Sequence, residues 1–206
     1  MPRQLRRDLK LPLLIILLCC AVSPAVPQAR ERDSRQEFTR RLVAAAVERT
    51  HHSVRYVSEY VRIPYPGGDV PADTGVCTDE IIRSYRAVGV DLQKEVHEDM
   101  AQHFPEYPHR WGRTHADSNI DHRRVPNLRT WLARQNAELP IPRDVSSWQP
   151  GDIFTSIIAR TATHIGFISD RQGADRPLII HNIGEGAREE DALLDWRITG
   201  RYRWAI

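Results

Sequence analysis

The spacing of apolar residues changes along the chain, from helical in its first half to strand-like in its second half. Over residues 34–37 a capping-box pattern precedes apolar positions at helical spacing, which predicts a first helix that ends at about Glu48. Residues 26–33 are polar, so we expect them to form a disordered lead-in. Residues 54–63 fit either a second short helix that ends before Pro64 or an extended segment, and the pattern does not separate the two.

The clearest helical pattern follows a glycine-bearing loop over residues 65–75. Apolar residues at positions 81, 82, 85 and 88 share one helical face, and Gly89 suits the C-terminal cap, so we predict a helix that begins beside Cys77. Residues 91–127 are rich in His, Pro, Arg and Asp and show little periodicity. They predict a loop-rich insertion, and insertions of that length in a compact domain are usually functional or packed on the surface.

The second half of the chain predicts one helix followed by short strands that are joined by turns. The predicted elements are a helix over 127–136, a Pro150-Gly151-Asp152 turn into a strand at Ile153, and strands over 164–169, 178–182 and 199–204. Helices therefore come first and strands with tight turns follow. This order predicts an α+β fold in which N-terminal helices pack on an antiparallel sheet.

The first 25 residues have the composition of a secretory leader. Four basic residues precede an apolar run from Leu11 to Val22, and a small-x-small cleavage site follows at residues 23–25. The run of about twelve residues is short for a bilayer span, so we expect membrane contact only through the leader if it stays uncleaved. Arg6-Arg7 is a partial twin-arginine pattern, and Cys19 or Cys20 is a candidate lipid acceptor. The leader predicts a periplasmic or secreted protein.

The net charge of the chain points to neither a nucleic acid nor a membrane surface as a partner. The whole chain has a formal charge of +2, but removal of residues 1–25 leaves 25 Lys and Arg against 26 Asp and Glu, or about −1. The basic balance thus comes from the leader, and neither a nucleic-acid partner nor a membrane-surface partner follows from it. Residues 34–206 are long enough for one domain with a substantial core.

Cys77 is the only cysteine outside the leader. In an oxidising compartment an unpaired thiol invites oxidation unless it has a use. At a helix N-terminus the dipole and the free backbone N–H groups favour a thiolate and offer bonds to an oxyanion, whereas Asp79 and Glu80 disfavour the thiolate. A working thiol here therefore needs a nearby imidazole. The alternative is a buried structural cysteine.

Two histidines are candidates for that imidazole. A thiol nucleophile needs a base to accept its proton and a third group to orient the base. His164 begins one predicted strand and His181 ends the next, so antiparallel pairing would bring both rings to the same sheet edge, and Gly166 would keep the site open. Each histidine alone also fits a structural position in a strand. The three residues together favour a Cys77, His164 and His181 triad, and the same set is also a candidate zinc site.

Residues 117–124 suggest ligand binding in two ways. Residues 117–121 imitate the start of a calcium loop, but His122 and Leu128 stand where the loop needs glycine and a bidentate glutamate, which excludes calcium. Arginine grips carboxylates through two parallel hydrogen bonds, so this block predicts a substrate-carboxylate patch. Its members are Asp121, His122, Arg123 and Arg124. The alternative is a surface turn stabilised by salt bridges.

Six blocks of the chain, in order, resemble domain-of-unknown-function family twelve eighty-seven. They are YPGGDVPADTGVCTDEIIRSYR, GVDLQKEVHEDM, SNIDHRRVPNL, WQPGDIF, HIGFISD and LIIHNIGEG. The resemblance runs from about Tyr56 to Trp204. That family is in turn similar to the NlpC-type papain-like cysteine peptidases, which carry Cys at a helix start, a P-G-D turn into the sheet, His in an H-[IV]-G strand and a polar third residue one strand later.

The resemblance implies a papain-like hydrolase that cleaves amide bonds in bacterial cell-wall peptides without a cofactor. Cys77 would attack the carbonyl with its backbone N–H in the oxyanion hole, His164 would transfer the proton, and His181 would orient His164. This chain departs from the NlpC-type pattern in two places. The residues around the nucleophile are Val-Cys-Thr-Asp where that pattern has Asp-Cys-Ser-Gly, and block 91–127 has no counterpart. The rival hypothesis is a catalytically silent domain that binds cell-wall peptide or zinc.

Overall fold

The structure is a computed structural model that describes residues 25–205, with side chains from residue 30 onward. Its helices are α1 (Ala25–Arg49), α2 (Cys77–Ala87), α3 (Leu92–Gln102) and α4 (Val125–Arg134), with 3-10 turns at Phe104–Glu106, Asp121–Arg123 and Val145–Ser147. Its strands are β1 (Arg55–Tyr56), β2 (Thr74–Gly75), β3 (Glu138–Leu139), β4 (Ile153–Ile158), β5 (Ala162–Gln172), β6 (Pro177–His181), β7 (Arg188–Glu190) and β8 (Arg197–Tyr202). The leader's twin-arginine and lipid-acceptor features lie outside this part of the chain.

The predicted α+β class is confirmed. Six strands form one sheet in the order β3-β8-β4-β5-β6-β7, and every neighbouring pair is antiparallel. Helices α1, α2 and α4 pack on the central strand β5. A separate parallel pair, β1 and β2, lies immediately before α2 and brings Tyr56 beside Gly75. Within residues 25–205 no helix is both long and apolar enough to cross a membrane.

The sheet buries both of its faces. The main core lies between the helices and one face, where Ile82 and Tyr85 of α2 meet Ile165 and Phe167 of β5. Each fully buried side chain of this kind stabilises the fold by roughly 1.5–3 kcal/mol. A smaller cluster covers the other face and contains Phe154, Ile168, Ile179, Trp148 and Leu193. The two clusters alternate along β5 because successive strand residues point to opposite faces.

The turn into β4 has the predicted sequence and a clear structural basis. Gly151 has φ +80° and lies so close to the Thr39 side chain that a Cβ would meet it at 2.6 Å. Asp152 is fully buried and accepts hydrogen bonds from Arg201 at 2.8 Å and Arg203 at 2.6 Å. The Pro-Gly-Asp turn thus fixes the start of β4 against β8.

The N-terminal region differs from the sequence prediction. Residues 26–33 belong to α1 and do not form a disordered lead-in, so the helix begins well before residue 34. Ser34 donates to the Glu31 carbonyl at 2.8 Å from inside the helix, which is a common bond for a mid-helix serine and leaves no capping box there. For residues 54–63 the extended alternative is correct, because β1 is their regular element.

The predicted loop-rich insertion contains a helix. Asp91 caps α3 by accepting from the Gln93 N–H at 3.2 Å, and Leu92, Val96 and Met100 are buried at a spacing of four residues. Charged and polar residues fill the positions between them, which hid the periodicity. Strand β7 was also missed, because its Arg-Glu-Glu sequence is that of a charged edge strand with no apolar alternation.

Candidate active site

Cys77 is the first residue of α2, as predicted. Val76 precedes it in extended conformation, and its backbone N–H donates to the Asp79 carboxylate at 2.7 Å. A carboxylate at the third helical position commonly holds the preceding backbone in this way. The sulfur is therefore held at a fixed helix start, beside the β1–β2 pair.

The thiol is buried and protonated in this structure. Cys77 is 4% exposed, and the Tyr56 hydroxyl lies over it with Oη 4.0 Å from Sγ. Burial raises the pKa of Cys77 to about 11, and the Asp79 charge acts in the same direction, while hydrogen bonds from Tyr56 and from the Ile165 backbone N–H oppose the shift. The sequence analysis required a nearby imidazole for a thiolate at this helix start, and burial adds a further reason for that requirement. Sequence patterns did not identify Tyr56 as a neighbour of the thiol.

The two histidines meet as predicted. Strands β5 and β6 pair with Gly166 opposite His181, and the Nε2 of His164 lies 2.8 Å from the Nδ1 of His181. The Nε2 of His181 lies 2.6 Å from the Glu190 carboxylate. The indole of Trp196 packs against both imidazoles, with ring centroids 5.9 and 5.4 Å away. Glu190 is thus a third member of the chain of contacts, and the missed strand β7 carries it.

These contacts determine where the histidine protons lie. Burial lowers the pKa of His164 to about 3 and also lowers the pKa of His181, although Glu190 opposes the second shift. Both rings are therefore neutral near pH 7. A carboxylate only accepts hydrogen bonds, so His181 carries its proton on Nε2, and its Nδ1 then accepts from the Nε2–H of His164. The Nδ1 of His164 is left as a buried lone pair without a hydrogen-bond partner among the described residues.

The structure brings the thiol to the backbone beside this base. Ile165 follows His164 directly and packs with Cys77 in the main core, and its backbone acts to lower the pKa of the thiol. The His164 ring itself packs against Phe154 and Trp196, on the side of the smaller cluster. Thiol and imidazole are not hydrogen-bonded here, since the His164 Nδ1 has no partner. The ring therefore packs with the smaller cluster, whereas Cys77 belongs to the main core on the other face of the sheet.

The predicted carboxylate patch is wrong for Arg123. Its guanidinium binds the Asp79 carboxylate at 2.8 and 3.0 Å, and it also donates to the backbone carbonyls of Glu59 and Val57. The side chain is buried and fully engaged, so it holds the 3-10 turn at 121–123 onto α2. This is a structural ion pair, as in the salt-bridge alternative, but it is buried against Asp79 of α2 and does not lie in a surface turn.

Asp121 and His122 also face inward. The Asp121 carboxylate lies 3.0 Å from the His97 Nδ1 and accepts from the Asp117 backbone. Burial lowers the pKa of His122 to about 3, with Arg123 adding to the shift. Arg124 alone among the four remains accessible. Its guanidinium stacks 3.9 Å from the Trp111 ring centroid and has no ion-pair partner among the described residues.

Cys77, His164 and His181, the candidate zinc ligands, are not arranged as a metal site. In the described part of the chain no three or more Cys, His, Asp and Glu side chains converge to hold an ion. Three of the four imidazole nitrogens of His164 and His181 are already engaged with each other or with Glu190. Zinc binding by Cys77, His164 and His181 would require these hydrogen bonds to break.

Comparison with known proteins decides the family. Residues 43–204 match the family described as "Domain of unknown function (DUF1287)". The chain belongs to this family. It is 51% identical over 152 residues to a protein of Escherichia coli (strain K12) named "Uncharacterized protein YijF", covering 73% of this chain and 74% of that protein. The resemblance of the six sequence blocks to this family is therefore confirmed.

Among solved structures, the chain is similar to an NLP/P60-family protein from Staphylococcus aureus subsp. aureus Mu50, described as similar to a lipoprotein. The TM-score is 0.40 at 15% identity, and the match covers 81% of this chain and 41% of that chain. The chain therefore spans about two fifths of that protein's length. The part of this chain that matches DUF1287 includes the contacts of the candidate site, from Tyr56 over the thiol to Glu190 behind His181.

Proposed function

We propose that this DUF1287 protein is a thiol-dependent amide hydrolase. The observation that carries the proposal is the chain from Glu190 through His181 to His164, which leaves the His164 Nδ1 with a free lone pair. A general base needs a free lone pair within reach of the proton that it accepts. Cys77 is the only thiol in the described chain, and it lies at a helix start where backbone N–H groups are unpaired.

The reaction uses these groups in two steps. The Cys77 sulfur attacks the substrate carbonyl carbon while its proton passes to His164, and His164 then protonates the departing amine to leave a thioester. Water attacks the thioester with His164 as base, which releases a carboxylic acid and restores the thiol. The backbone N–H of Cys77 faces the oxyanion, and His181 with Glu190 stabilises the imidazolium that forms on His164.

In this mechanism, substrate binding has to bring about proton transfer from the Cys77 thiol to the His164 imidazole. In the unliganded structure the thiol and the imidazole are both neutral, because burial raises the pKa of Cys77 and lowers that of His164. Tyr56 also covers the sulfur. The mechanism therefore requires that substrate entry move Tyr56 aside and that the His164 ring, which packs on the side of the smaller cluster, turn toward the thiol before the ion pair forms.

We infer cell-wall peptides as the substrate class. Support comes from the similarity of the family to NlpC-type peptidases, from the expected export of the chain, and from Arg124. This arginine offers a guanidinium that has no internal carboxylate, and the ring of Trp111 fixes its plane. Peptides of the cell wall carry free carboxylates that such a group can bind through two parallel hydrogen bonds.

The test is incubation of the purified protein with soluble peptidoglycan fragments, followed by identification of products by mass. Hydrolysis predicts paired products whose masses sum to that of the substrate plus one water. Cys77→Ala should remove the activity and keep the fold, because the substitution takes only one sulfur atom out of the main core. A Cys77→Ala protein with normal kinetics would end the cysteine mechanism.

A peptide-binding protein without catalysis is the second candidate, and the buried, neutral thiol favours it. If the protein only binds peptides, wild type and Cys77→Ala bind the fragments with equal affinity, and neither changes the masses of the fragments. Calorimetric titration of the same fragments with wild type and Cys77→Ala distinguishes the two functions.

A further inference from the structure

An arginine-lined groove adjoins the candidate site. It has a volume of about 610 Å³ and lies between α4, the β4–β5 turn and the start of β8. Four guanidinium groups line it, those of Arg110, Arg129, Arg160 and Arg197, and Glu138 is its only carboxylate. The lining also includes Thr163 and Tyr202, and Tyr202 belongs to the main core, on the sheet face that Cys77 shares.

The positive charge of the groove is not neutralised within the protein. None of the four arginines has an ion-pair partner among residues 30–205. Arg129 donates to the Tyr202 hydroxyl and to the Thr199 carbonyl, each at 3.1 Å, and both acceptors are uncharged. A concave surface lined by charges of one sign concentrates ligands of the opposite sign. This groove is therefore suited to an anion with several charges.

The turn between β4 and β5 holds Arg160 in a strained backbone conformation. Ala159 and Arg160 connect β4 to β5, and both have positive φ, +32° and +46°. Residues other than glycine rarely adopt this region, and here two of the three loop residues, 159–161, adopt it. The turn carries Arg160 to the groove, and the pairing of β4 with β8 places Arg197 opposite Ile157 on the same wall.

Two borders of the groove lead to Cys77. Along β5, Thr163 lines the groove, and Ile165, two residues further on the same face, packs in the main core that contains Cys77. Along α4, Pro126 lines the groove, and the nearby Arg123 carbonyl accepts from Thr78 at 3.0 Å, next to the cysteine. An extended chain in the groove would thus run toward the thiol from either border.

We propose that this groove binds a carboxylate-rich segment of the peptide substrate. The direction toward Cys77 rests on the proposed function, whereas the binding itself does not. Guanidinium groups pair well with carboxylates and with phosphates. Single-stranded nucleic acids also need exposed aromatic rings for stacking, and the one aromatic residue of the groove, Tyr202, is buried. A peptide that carries carboxylates therefore fits the lining better.

The test measures binding of fluorescein-labelled hexaglutamate by anisotropy. Cys77→Ala protein is used so that no turnover occurs, and hexaglutamine with the same label is the neutral comparison. The groove variant combines Arg110→Gln, Arg160→Gln and Arg197→Gln, which leaves the structural bonds of Arg129 in place. The matched control combines Arg35→Gln, Arg40→Gln and Arg41→Gln on the surface of α1, and removes the same number of charges outside the groove.

We expect the groove variant to bind hexaglutamate about tenfold or more weakly, since each lost charge-assisted bond is worth about that factor. The control should change affinity less than twofold, and hexaglutamine should bind weakly to every protein. Equal losses in the two triple variants would overturn the proposal, because they would indicate general charge attraction. Equal or tighter binding of an oligothymidylate with the same number of charges would overturn the preference for peptide.

The activity of Cys77→Ala on a neutral peptide amide tests the proposed hydrolase function separately from the groove proposal. If Cys77→Ala retains wild-type activity while hexaglutamate binding still depends on the groove, the proposed function fails and the groove stands. If Cys77→Ala is inactive and the groove variant binds hexaglutamate as tightly as its parent, the groove proposal fails alone.

Discussion

The Nε2 of His164 and the Nδ1 of His181 are 2.8 Å apart, and this contact sets the chemistry of both rings. With Glu190 behind His181, the proton order along the chain is fixed, and the free lone pair lies on the far nitrogen of His164. His181 is thus a positioning residue that acts through His164. A substitution at His181 should leave the base, His164, in place but less firmly oriented.

Substitutions at the two histidines should therefore differ in severity. His164→Ala should lower kcat/KM by roughly 10²–10⁴-fold, the usual contribution of a general base. His181→Ala should cost less, and His181→Asn should recover much of the loss because an amide oxygen also accepts from the His164 Nε2–H. Steady-state rates on cell-wall fragments provide the comparison. Equal inactivation by both alanine variants, together with loss of a bound metal, would favour the zinc hypothesis.

The thiol should react slowly when the protein is unliganded. Because burial raises the pKa of Cys77 to about 11, only a small thiolate fraction exists at pH 8. Alkylation by iodoacetamide should be slower than for a free cysteine and should rise about tenfold per pH unit up to that pKa. Tyr56→Ala should accelerate labelling by exposing the sulfur. Fast labelling at pH 7 in the wild type would contradict the buried, neutral state.

Local sequence features predicted the parts of the site that depend on position along the chain. A thiol at a helix start and histidines at the ends of adjacent strands follow from periodicity and turns, and both placements are correct. The proximity of Tyr56 was not predictable, since it depends on the parallel β1–β2 pair, which joins residues far apart in sequence. Glu190 was missed because a charged edge strand resembles a surface loop in sequence.

The Asp121–Arg124 block shows why charge alone misleads. Adjacent arginines have the same local sequence signal, yet Arg123 is buried against Asp79 while Arg124 stacks on Trp111 and stays accessible. Which of the two turns inward is decided by the position of α2, 44 residues earlier in the chain. No periodicity within the block encodes that partner.

The Arg123–Asp79 pair should be essential for stability. Asp79→Asn leaves a buried guanidinium without its carboxylate and weakens the bond to the Val76 N–H, so unfolding free energy should fall by about 3–5 kcal/mol. Urea unfolding followed by circular dichroism measures the loss. As a control, Asp73→Asn breaks the exposed pair with Arg55 and should change stability little. Similar losses in both variants would show that burial of the pair has no special effect.

His122 should make the fold sensitive to acid. Its folded pKa of about 3 lies below the ordinary 6.5, so the unfolded chain binds the proton first. The stability due to the neutral ring is complete above pH 6.5 and is lost as the pH falls toward 3. Between pH 8 and pH 5, His122→Leu should reduce the drop in unfolding free energy by about 2 kcal/mol. An unchanged drop in denaturant titrations at the two pH values would mean that His122 is charged in the folded protein.

Arg124 should recognise a substrate carboxylate through its planar guanidinium. Its charge has no internal partner, burial lowers its pKa, and Trp111 holds its plane, so its donors are oriented for a ligand. Arg124→Lys replaces two parallel bonds by a point charge and should cost about 1–3 kcal/mol in kcat/KM. Amidation of the substrate carboxylate should cost the wild type a similar amount and should cost the Lys variant less.

The neighbouring Arg113 offers the matched control for that experiment. It also lies over an aromatic ring, that of Tyr60 at 5.7 Å, but its charge is already paired with Asp117 at 2.8 Å. Arg113→Lys should therefore leave the ratio of rates on carboxylate and amidated substrates unchanged. If Arg124→Lys lowers both rates equally and also lowers the melting temperature, Arg124 supports the fold and does not recognise the ligand. A changed ratio in Arg124→Lys alone identifies the guanidinium as the group that binds the carboxylate.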